Sequence, residues 1–155
     1  MNHPSSTPVL RLFGETIRIL VPGRQTRGAF ALIEEITPIG SGPPLHRHKD
    51  EDEWFSVLEG RIEIQLDGKR SEAGPGEMLF APRRSVHTFR SIGDVPLKTH
   101  IVVSPPRLDE FFLDVAKVWI DGPPPEPIIA SLFAKHGLEL LGPPIGISPD
   151  PSRTT

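Results

Sequence analysis

The sequence predicts an all-β sandwich or barrel followed by two helices, and two observations lead to this prediction. From about Thr16 to Val103, short β-type segments alternate with turn residues, without intervening helices. After Pro106 the spacing of the apolar residues becomes helical. Many short strands at regular spacing are typical of a sandwich or barrel. We therefore predict a single domain, in which one β-barrel carries two helices packed outside it.

Seven strands are predicted, with the segments PG, GSGPP, DG, AGPG and IGDVP as turns between them. They are TIRILV, GAFALIEEI, EWFSVLEG, RIEIQLDG, GEMLFAP, VHTFRSI and KTHIVVS. RIEIQLDG alternates most cleanly, because Ile62, Ile64 and Leu66 share one face and polar residues occupy the other. The segment ends at Asp67-Gly68, a pair that favours a hairpin turn.

The two helices are predicted from apolar spacing and from residues at their ends. In the first helix, apolar residues recur at helical spacing: Leu108, Phe111, Phe112 and Val115. Asp109 lies in the first turn, where the helix dipole favours negative charge. We interpret these apolar residues, with Trp119, as helix packing and not as a binding site. The second helix is predicted over Ile128–His136, with Gly137 as its stop. The barrel then spans about 10–104 and a C-terminal helical extension about 105–142, with loose tails at both ends.

The composition excludes several classes of protein. The 155 residues carry a net charge of −3, which gives no general attraction to nucleic acid or to anionic membranes. There is no cysteine, so disulfides and thiolate ligands are excluded. The sequence has no signal-like or membrane-spanning apolar run, and it lacks the nucleophile-elbow, P-loop and dinucleotide glycine motifs. We expect a cytoplasmic protein that binds a small molecule, with neither nucleic acid nor a membrane as partner.

Three histidines and one glutamate have the spacing of a metal site. His46 and His48 are two residues apart, so on a strand both rings project from the same face. Glu53 has the opposite parity, so the intervening Lys49-Asp50-Glu51-Asp52 segment must bulge or turn to bring its carboxylate inward. Glu51 and Asp52 are alternative ligands, but spacing and parity favour Glu53. His87, on a distant strand, supplies the fourth ligand.

This donor set suits one divalent transition metal: zinc, iron, manganese, nickel, cobalt or copper. Four protein ligands leave one or two coordination positions open for a substrate or dioxygen. His100 could serve as a donor behind the ligands, but we favour a packed, hydrogen-bonded role for it. Arg83 and Arg84 could attract an anionic substrate, although a surface turn is the commoner meaning of such a pair.

The two stretches that hold these residues resemble the two motifs of the cupin superfamily. The segment from Gly40 to Gly60 fits G-x5-H-x-H-x4-E-x6-G throughout. The second motif fits at Gly76, Pro82 and His87. It departs from the family pattern at two positions that are not ligands, Arg84 for the usual glycine and Ser91 for the usual asparagine. The sequence around the motifs is most similar to that of small single-domain cupins of the quercetin 2,3-dioxygenase-like type. The resemblance implies a double-stranded β-helix (jelly-roll) barrel with the metal inside, often as a homodimer.

The leading functional hypothesis is a metal-dependent dioxygenase that acts on a small enolic or phenolic substrate, such as a flavonol or a dicarbonyl. Glu53 would accept the substrate proton, and apolar side chains would exclude water: Phe55, Met78, Phe80 and Phe89. One alternative is a non-catalytic, regulatory cupin that binds a metal or a small ligand. Another is a metal-dependent isomerase or lyase, which predicts a polar cavity, whereas few inward polar side chains are identifiable.

Overall fold

The computed structural model describes residues 7–146, where the chain forms two antiparallel sheets facing each other and two helices. Most of the two predicted tails falls in residues 1–6 and 147–155, outside the described part. The first sheet has the order β1-β2-β3-β10-β5-β8: Leu10–Leu12, Glu15–Val21, Ala31–Thr37, Leu97–Ser104, Asp52–Glu59 and Met78–Ala81. The second has the order β11-β4-β9-β6-β7: Leu138–Gly142, Leu45–His48, His87–Ile92, Arg61–Leu66 and Lys69–Ala73.

All seven predicted strands are present, at β2, β3, β5, β6, β8, β9 and β10. The hairpin predicted at Asp67-Gly68 joins β6 to β7 through a two-residue loop, since Leu66 pairs with Lys69. Both loop residues have positive φ, 47° and 81°, as this tight turn requires. The alternation in β6 is confirmed by the burial of Ile62 and Ile64.

Four strands were not among the seven predicted segments: β1, β7 and β11, and also β4, which was implied only by the spacing of His46 and His48. β1, Leu-Arg-Leu, has only three residues, too few for its alternation to stand out, and β7 buries only Ala73. β11, Leu138–Gly142, lies inside the segment predicted to be a helical extension, and that part of the prediction is wrong. Its residues pair with β4, opposite His46 and His48, so the C-terminal segment returns to the sheet that carries the histidines.

The barrel interior is formed by alternate residues of the two sheets. In the first sheet, Ile17, Ile33 and Ile101 are buried, and in the second, Ile62 and Ile64 face them. Burial of these side chains supplies the main stabilising free energy, at about 25 cal/mol per Å² of apolar surface removed from water. The core positions the inner faces of β4, β5 and β9, which hold the candidate site.

Both predicted helices are present. The first, α1, spans Leu108–Val118 and buries Leu108, Phe111, Phe112 and Val115, as predicted. The second, α2, spans Glu126–Lys135, two residues longer at its start than predicted, because Pro127 is tolerated in a first helical turn. Gly137, at φ 71°, follows its C-terminal end. The helices contact each other, and they pack on β1, β3 and β11.

Within residues 7–146, neither helix is long and apolar enough to cross a membrane.

Candidate metal centre and cavity

Two neighbouring strands bring the three histidines together. His46 and His48 alternate inward along β4, and His46 is directly opposite His87 of β9 in the antiparallel pairing. Opposed residues of paired strands point to the same face. All three rings therefore lie against the barrel interior, with ring centroids 4.5–5.4 Å apart.

The glutamate comes from the opposite sheet. β4 ends at His48 and β5, in the six-stranded sheet, begins at Asp52, so the chain crosses between the sheets over residues 49–51. This crossing is the physical reason for the parity change predicted at Lys49–Asp52. Glu53 then points inward, and Phe55 and Val57 follow it on the same buried face.

The four side chains form one compact cluster. One ligand atom from each of His46, His48, Glu53 and His87 lies within 4.8 Å of all the others. Glu53 Oε2 is 3.0 Å from His87 Nε2 and 3.2 Å from His48 Nε2. These separations are close to those of donor atoms that share one ion at bonds of about 2.1 Å, so the four side chains could hold a single metal.

The hydrogen bonds of the histidines leave one nitrogen of each ring for the cluster. Each Nδ1 lies near an oxygen acceptor: Pro44 O at 2.7 Å from His46, Glu51 Oε1 at 2.7 Å from His48, and Ser85 O at 3.2 Å from His87. A proton on Nδ1 leaves the Nε2 lone pair free, as in most histidine metal ligands. His48 Nε2 is buried and has no hydrogen-bond partner among residues 7–146, because its approach to Glu53 lacks hydrogen-bond geometry. The donor set and this orphaned nitrogen fit a metal ion.

Glu51, the alternative ligand at the sequence level, has a different place. Its side chain is fully buried and accepts hydrogen bonds from His48 Nδ1 through Oε1, and from the backbone N–H groups of Arg107 and Leu108 through Oε2, at 3.0 and 3.2 Å. Those two N–H groups are at the start of α1, where helix donors lack backbone acceptors. Glu51 thus orients a histidine and caps a helix with one carboxylate.

The electrostatics without a metal favour an ion pair inside the cluster. Burial lowers the pKa of His46 to about 3, together with repulsion from His87 and His48. Burial also disfavours charged His48, but Glu53 and Glu51 outweigh it and raise the His48 pKa to about 10. Burial alone would raise the pKa of Glu53, yet His48 and His87 hold that pKa well below its usual range. A metal cation would replace the positive charge that now stabilises Glu53.

A cavity of about 240 Å³ extends from the cluster. His46, His48 and Glu53 line it, and its remaining wall is mostly apolar, with six phenylalanines: Phe13, Phe55, Phe89, Phe111, Phe112 and Phe133. Three of these come from the helices, so the interpretation of Phe111 and Phe112 as packing alone is incomplete. Such a cavity, mostly apolar with a few convergent polar groups, has the character of a small-molecule site.

Two of the apolar residues expected in the cavity lie elsewhere. Met78 is 63% exposed and Phe80 45% exposed. Phe80 stacks on Trp54 on the outer side of β5 and β8, with ring centroids 4.9 Å apart. The expectation that Met78 and Phe80 shield the site is wrong. Because the MLFA segment is apolar on both faces, its sequence does not indicate which face is inward.

The other candidate residues lie away from the cluster. His100 is on the outer face of β10, where its Nε2 is 3.5 Å from Glu34 Oε2. Arg83 forms hydrogen bonds with Asp52 at the surface, and neither Arg83 nor Arg84 lines the cavity. Arg84 has φ 69°, which explains why glycine is usual at this position of the motif.

Two acidic cavity residues were not identified from the sequence. Glu15 and Glu35 line the cavity and are 8% and 4% exposed. Their strand parity was the available signal, since Glu15 shares its face with Ile17, and Glu35 shares its face with Ile33. A carboxylate within the apolar set of a strand indicates an inward charge.

Comparisons with known proteins agree with this fold. The Cupin_2 family model, described as a cupin domain, matches residues 32–103. The uncharacterised protein MJ1618 of Methanocaldococcus jannaschii is 34% identical over 104 residues, 66% of this chain and 83% of that protein. Quercetin 2,3-dioxygenase of Bacillus subtilis is 34% identical over 80 residues, 51% of this chain but only 24% of that enzyme.

Among solved structures, an RmlC-like cupin from Shewanella frigidimarina has a TM-score of 0.61 at 17% identity, covering 71% of this chain and 94% of that one. At this identity the likeness concerns the fold, which is the jelly-roll barrel implied by the motifs. The family match, the MJ1618 relative and the inward His/Glu cluster lead to the same conclusion: the chain belongs to the cupin superfamily.

Proposed function

We propose that this protein is a metal-dependent dioxygenase that acts on a small enolic or phenolic molecule. The observation that carries the proposal is the cluster of His46, His48, Glu53 and His87 at the wall of an aromatic cavity. The partial match to a quercetin 2,3-dioxygenase supports the substrate class. A bound redox-active metal would supply Lewis acidity toward a substrate oxygen and electron transfer toward dioxygen.

The residues of the chain divide the remaining work. The Nε2 atoms of the three histidines and one Glu53 oxygen would hold the ion. The hydrogen bonds from the histidine Nδ1 atoms to Pro44, Glu51 and Ser85 would keep the rings in the required orientation. Phe55 and Phe89, whose rings pack edge to face with centroids 5.5 Å apart, would exclude water and form part of the apolar wall against a substrate. Glu53 as proton acceptor stays a prediction, because its lowered pKa makes it a weak base in the metal-free protein.

Oxygen consumption tests this proposal. Protein loaded separately with iron, manganese or nickel is mixed with a flavonol or a 1,3-diketone, and dioxygen uptake is followed with an electrode. The His87→Ala variant serves as the inactive control and His100→Ala, on the outer face, as the matched active control. Absence of uptake with every metal and both substrates would refute the dioxygenase assignment.

A second candidate is a metal-dependent isomerase or lyase, and the buried Glu15 and Glu35 favour it. These carboxyls give the cavity acid–base groups that the sequence did not suggest. The same substrates under argon separate the two functions, since an isomerase or lyase forms product without dioxygen. A non-catalytic cupin would bind these compounds and leave them unchanged under both atmospheres.

The homodimer expected from the resemblance also stays a proposal. The exposed Met78 and Phe80, beside Trp54 at the β8 edge, support an apolar contact there. Light scattering of the wild type and of Phe80→Asp tests it, with a dimer that becomes a monomer as the expected result.

A further inference from the structure

The mouth of the cavity lies between α2 and the turn that joins β1 to β2. Beside the metal cluster the lining residues are buried, as Phe55 and Ile101 are. The lining residue of the β1–β2 turn, Phe13, is 40% exposed. The two lining residues of α2, Ile129 and Phe133, are half-buried. The cavity therefore meets solvent on this side, and α2 forms one edge of the opening.

α2 is held to the rest of the domain by little buried surface. None of its ten residues is buried, whereas α1 buries five of its eleven. Its apolar side chains Ile129, Leu132 and Phe133 keep part of their surface in solvent. A helix of this length is stable in water mainly through its packing on other elements. Because buried apolar area sets that stability, α2 is held less firmly than α1.

The two ends of α2 are attached differently. At the C-terminal end, Lys135 Nζ and His136 Nε2 donate to Asp114 Oδ2 of α1, at 2.7 and 2.9 Å. His136 and the following Leu138 are buried. At the N-terminal end, Glu126 is exposed, and no side chain caps the first turn within residues 7–146. The C-terminal turn is thus the fixed end of the helix, and the N-terminal turn is its free end.

Glycines flank α2 on both sides. Gly137 follows it with φ 71°, and Gly122 precedes it with φ 129°. Glycine accepts a wide range of backbone angles, and small residues at the ends of elements commonly act as hinges. The segment between Gly122 and α2 is Pro123-Pro124-Pro125, which is stiff and extended. This segment would transmit a rotation at Gly122 to the free end of α2 and would not absorb it.

Phe13 provides a fixed surface across the mouth from α2. It has φ 57°, a left-handed conformation that is unfavourable for a bulky residue. Such a conformation persists where the surrounding contacts compensate for it. The Phe13 ring packs near Trp119 and Phe111, with ring centroids 4.9 and 6.3 Å away, and near Phe133 of α2 at 6.5 Å. Phe111 and Trp119, in and directly after α1, therefore hold Phe13 at the mouth, and Phe133 closes against it.

We propose that α2 is a lid on the cavity. Its N-terminal turn, with Ile129, lifts from the mouth to admit a ligand, while Lys135 and His136 stay on Asp114. The lid then closes against Phe13 and excludes water from the cavity. Its inner face is apolar, so closure is most favourable over an apolar molecule. The lid controls access for any chemistry at the cluster, so its test uses the metal-free full chain.

Distances between spin labels test the motion of α2. The chain has no cysteine, so introduced cysteines are labelled specifically. One pair joins the free end of α2 to the barrel, with Glu126→Cys and Ser71→Cys. The control pair joins α1 to the same point, with Glu110→Cys and Ser71→Cys, and all three positions are exposed. Pulsed electron paramagnetic resonance should give two distances for the α2 pair and one for the α1 pair. An apolar probe, 1-aminoanthracene, should fill the cavity and leave a single distance for the α2 pair.

The rate of probe entry tests whether this motion controls access. Binding of 1-aminoanthracene is followed by stopped-flow fluorescence as its concentration rises. If α2 has to open first, the binding rate levels off at the opening rate. Ile129→Ala weakens the closed lid by about half the burial of one isoleucine, so the plateau rate should rise about tenfold. Ile128→Ala, at an exposed position of the same turn outside the cavity wall, is the control that should leave the plateau unchanged.

The outcomes concern the lid alone. A single narrow distance for the α2 pair in the free protein would show that α2 is fixed, and two distances that persist with bound probe would separate its motion from the cavity. A binding rate that rises linearly, equally in the wild type and Ile129→Ala, would mean that the mouth is always open. Absence of probe binding also overturns the proposal, since the lid has to give access to an apolar cavity. None of these results depends on oxygen uptake, so the lid and the dioxygenase proposal stand or fall separately.

Discussion

Replacement of Glu51 by alanine should destabilise the protein far more than replacement of its neighbour Asp52. The Glu51 carboxylate is buried and accepts from three donors: His48 Nδ1, Arg107 N and Leu108 N. In Glu51→Ala all three donors lose their acceptor. An unsatisfied buried donor costs about 1–3 kcal/mol, and loss of a helix cap alone costs about 0.5–2 kcal/mol. The lost helix cap and the unsatisfied N–H groups of Arg107 and Leu108 are partly the same interaction, so the two costs do not simply add. We expect the free energy of unfolding to fall by about 3–6 kcal/mol in total.

Urea unfolding of metal-free protein, followed by circular dichroism, measures this loss. Asp52→Ala is the matched control, since among residues 7–146 the Asp52 side chain bonds only with Arg83, at the surface, where such pairs contribute about 0–1 kcal/mol. Hydrogen exchange adds a local readout, because the Leu108 amide should exchange faster in Glu51→Ala. Equal stability of the two variants, with unchanged exchange at Leu108, would show that Glu51 does not hold α1.

Three further predictions follow from the site and the core. His87→Ala should lose most of the bound metal after dialysis, measured by elemental analysis, whereas His100→Ala should retain it; equal retention would mean that His87 is not a ligand. Because the metal-free His48 has a pKa raised to about 10, it is protonated at neutral pH and must lose that proton to bind a metal. Metal affinity should therefore rise with pH up to about 10, with about one proton released per ion in calorimetry; a pH-independent affinity contradicts this. Ile62→Ala, at a fully buried position, should cost about 2–5 kcal/mol in urea unfolding, while Ile120→Ala, at 80% exposure, should cost almost nothing.

The strands and helices that were predicted correctly are those in which apolar residues follow the period of the element. Ile62 and Ile64 indicated β6, and Phe111, Phe112 and Val115 indicated α1, because each set follows the period of its element. β7 could not be found this way, since only Ala73 among its residues is buried. It exists because the Asp67-Gly68 turn folds it back on β6.

The ligands were predictable because their types and spacing are local properties of the chain. The residues that surround the ligands were not predictable in this way. That Glu51 bonds to α1, or that Phe112 walls the cavity, depends on contacts between residues more than 50 positions apart. Met78 and Phe80 were misplaced for a related reason, since local sequence does not indicate which side of β8 meets the interior.

The position of Glu53 on one sheet and of the three histidines on the other has a consequence for assembly. Neither sheet alone contains the complete donor set, so the four-ligand site forms only when the two sheets have docked. Metal capture should then follow folding, and a partly folded chain should bind the ion only weakly. For the same reason, a substitution that loosens the contact between the sheets, such as one at Phe55 or Phe89, should release the ion before any strand unravels. The fraction of protein that retains the metal is thus a sensitive measure of the contact between the two sheets.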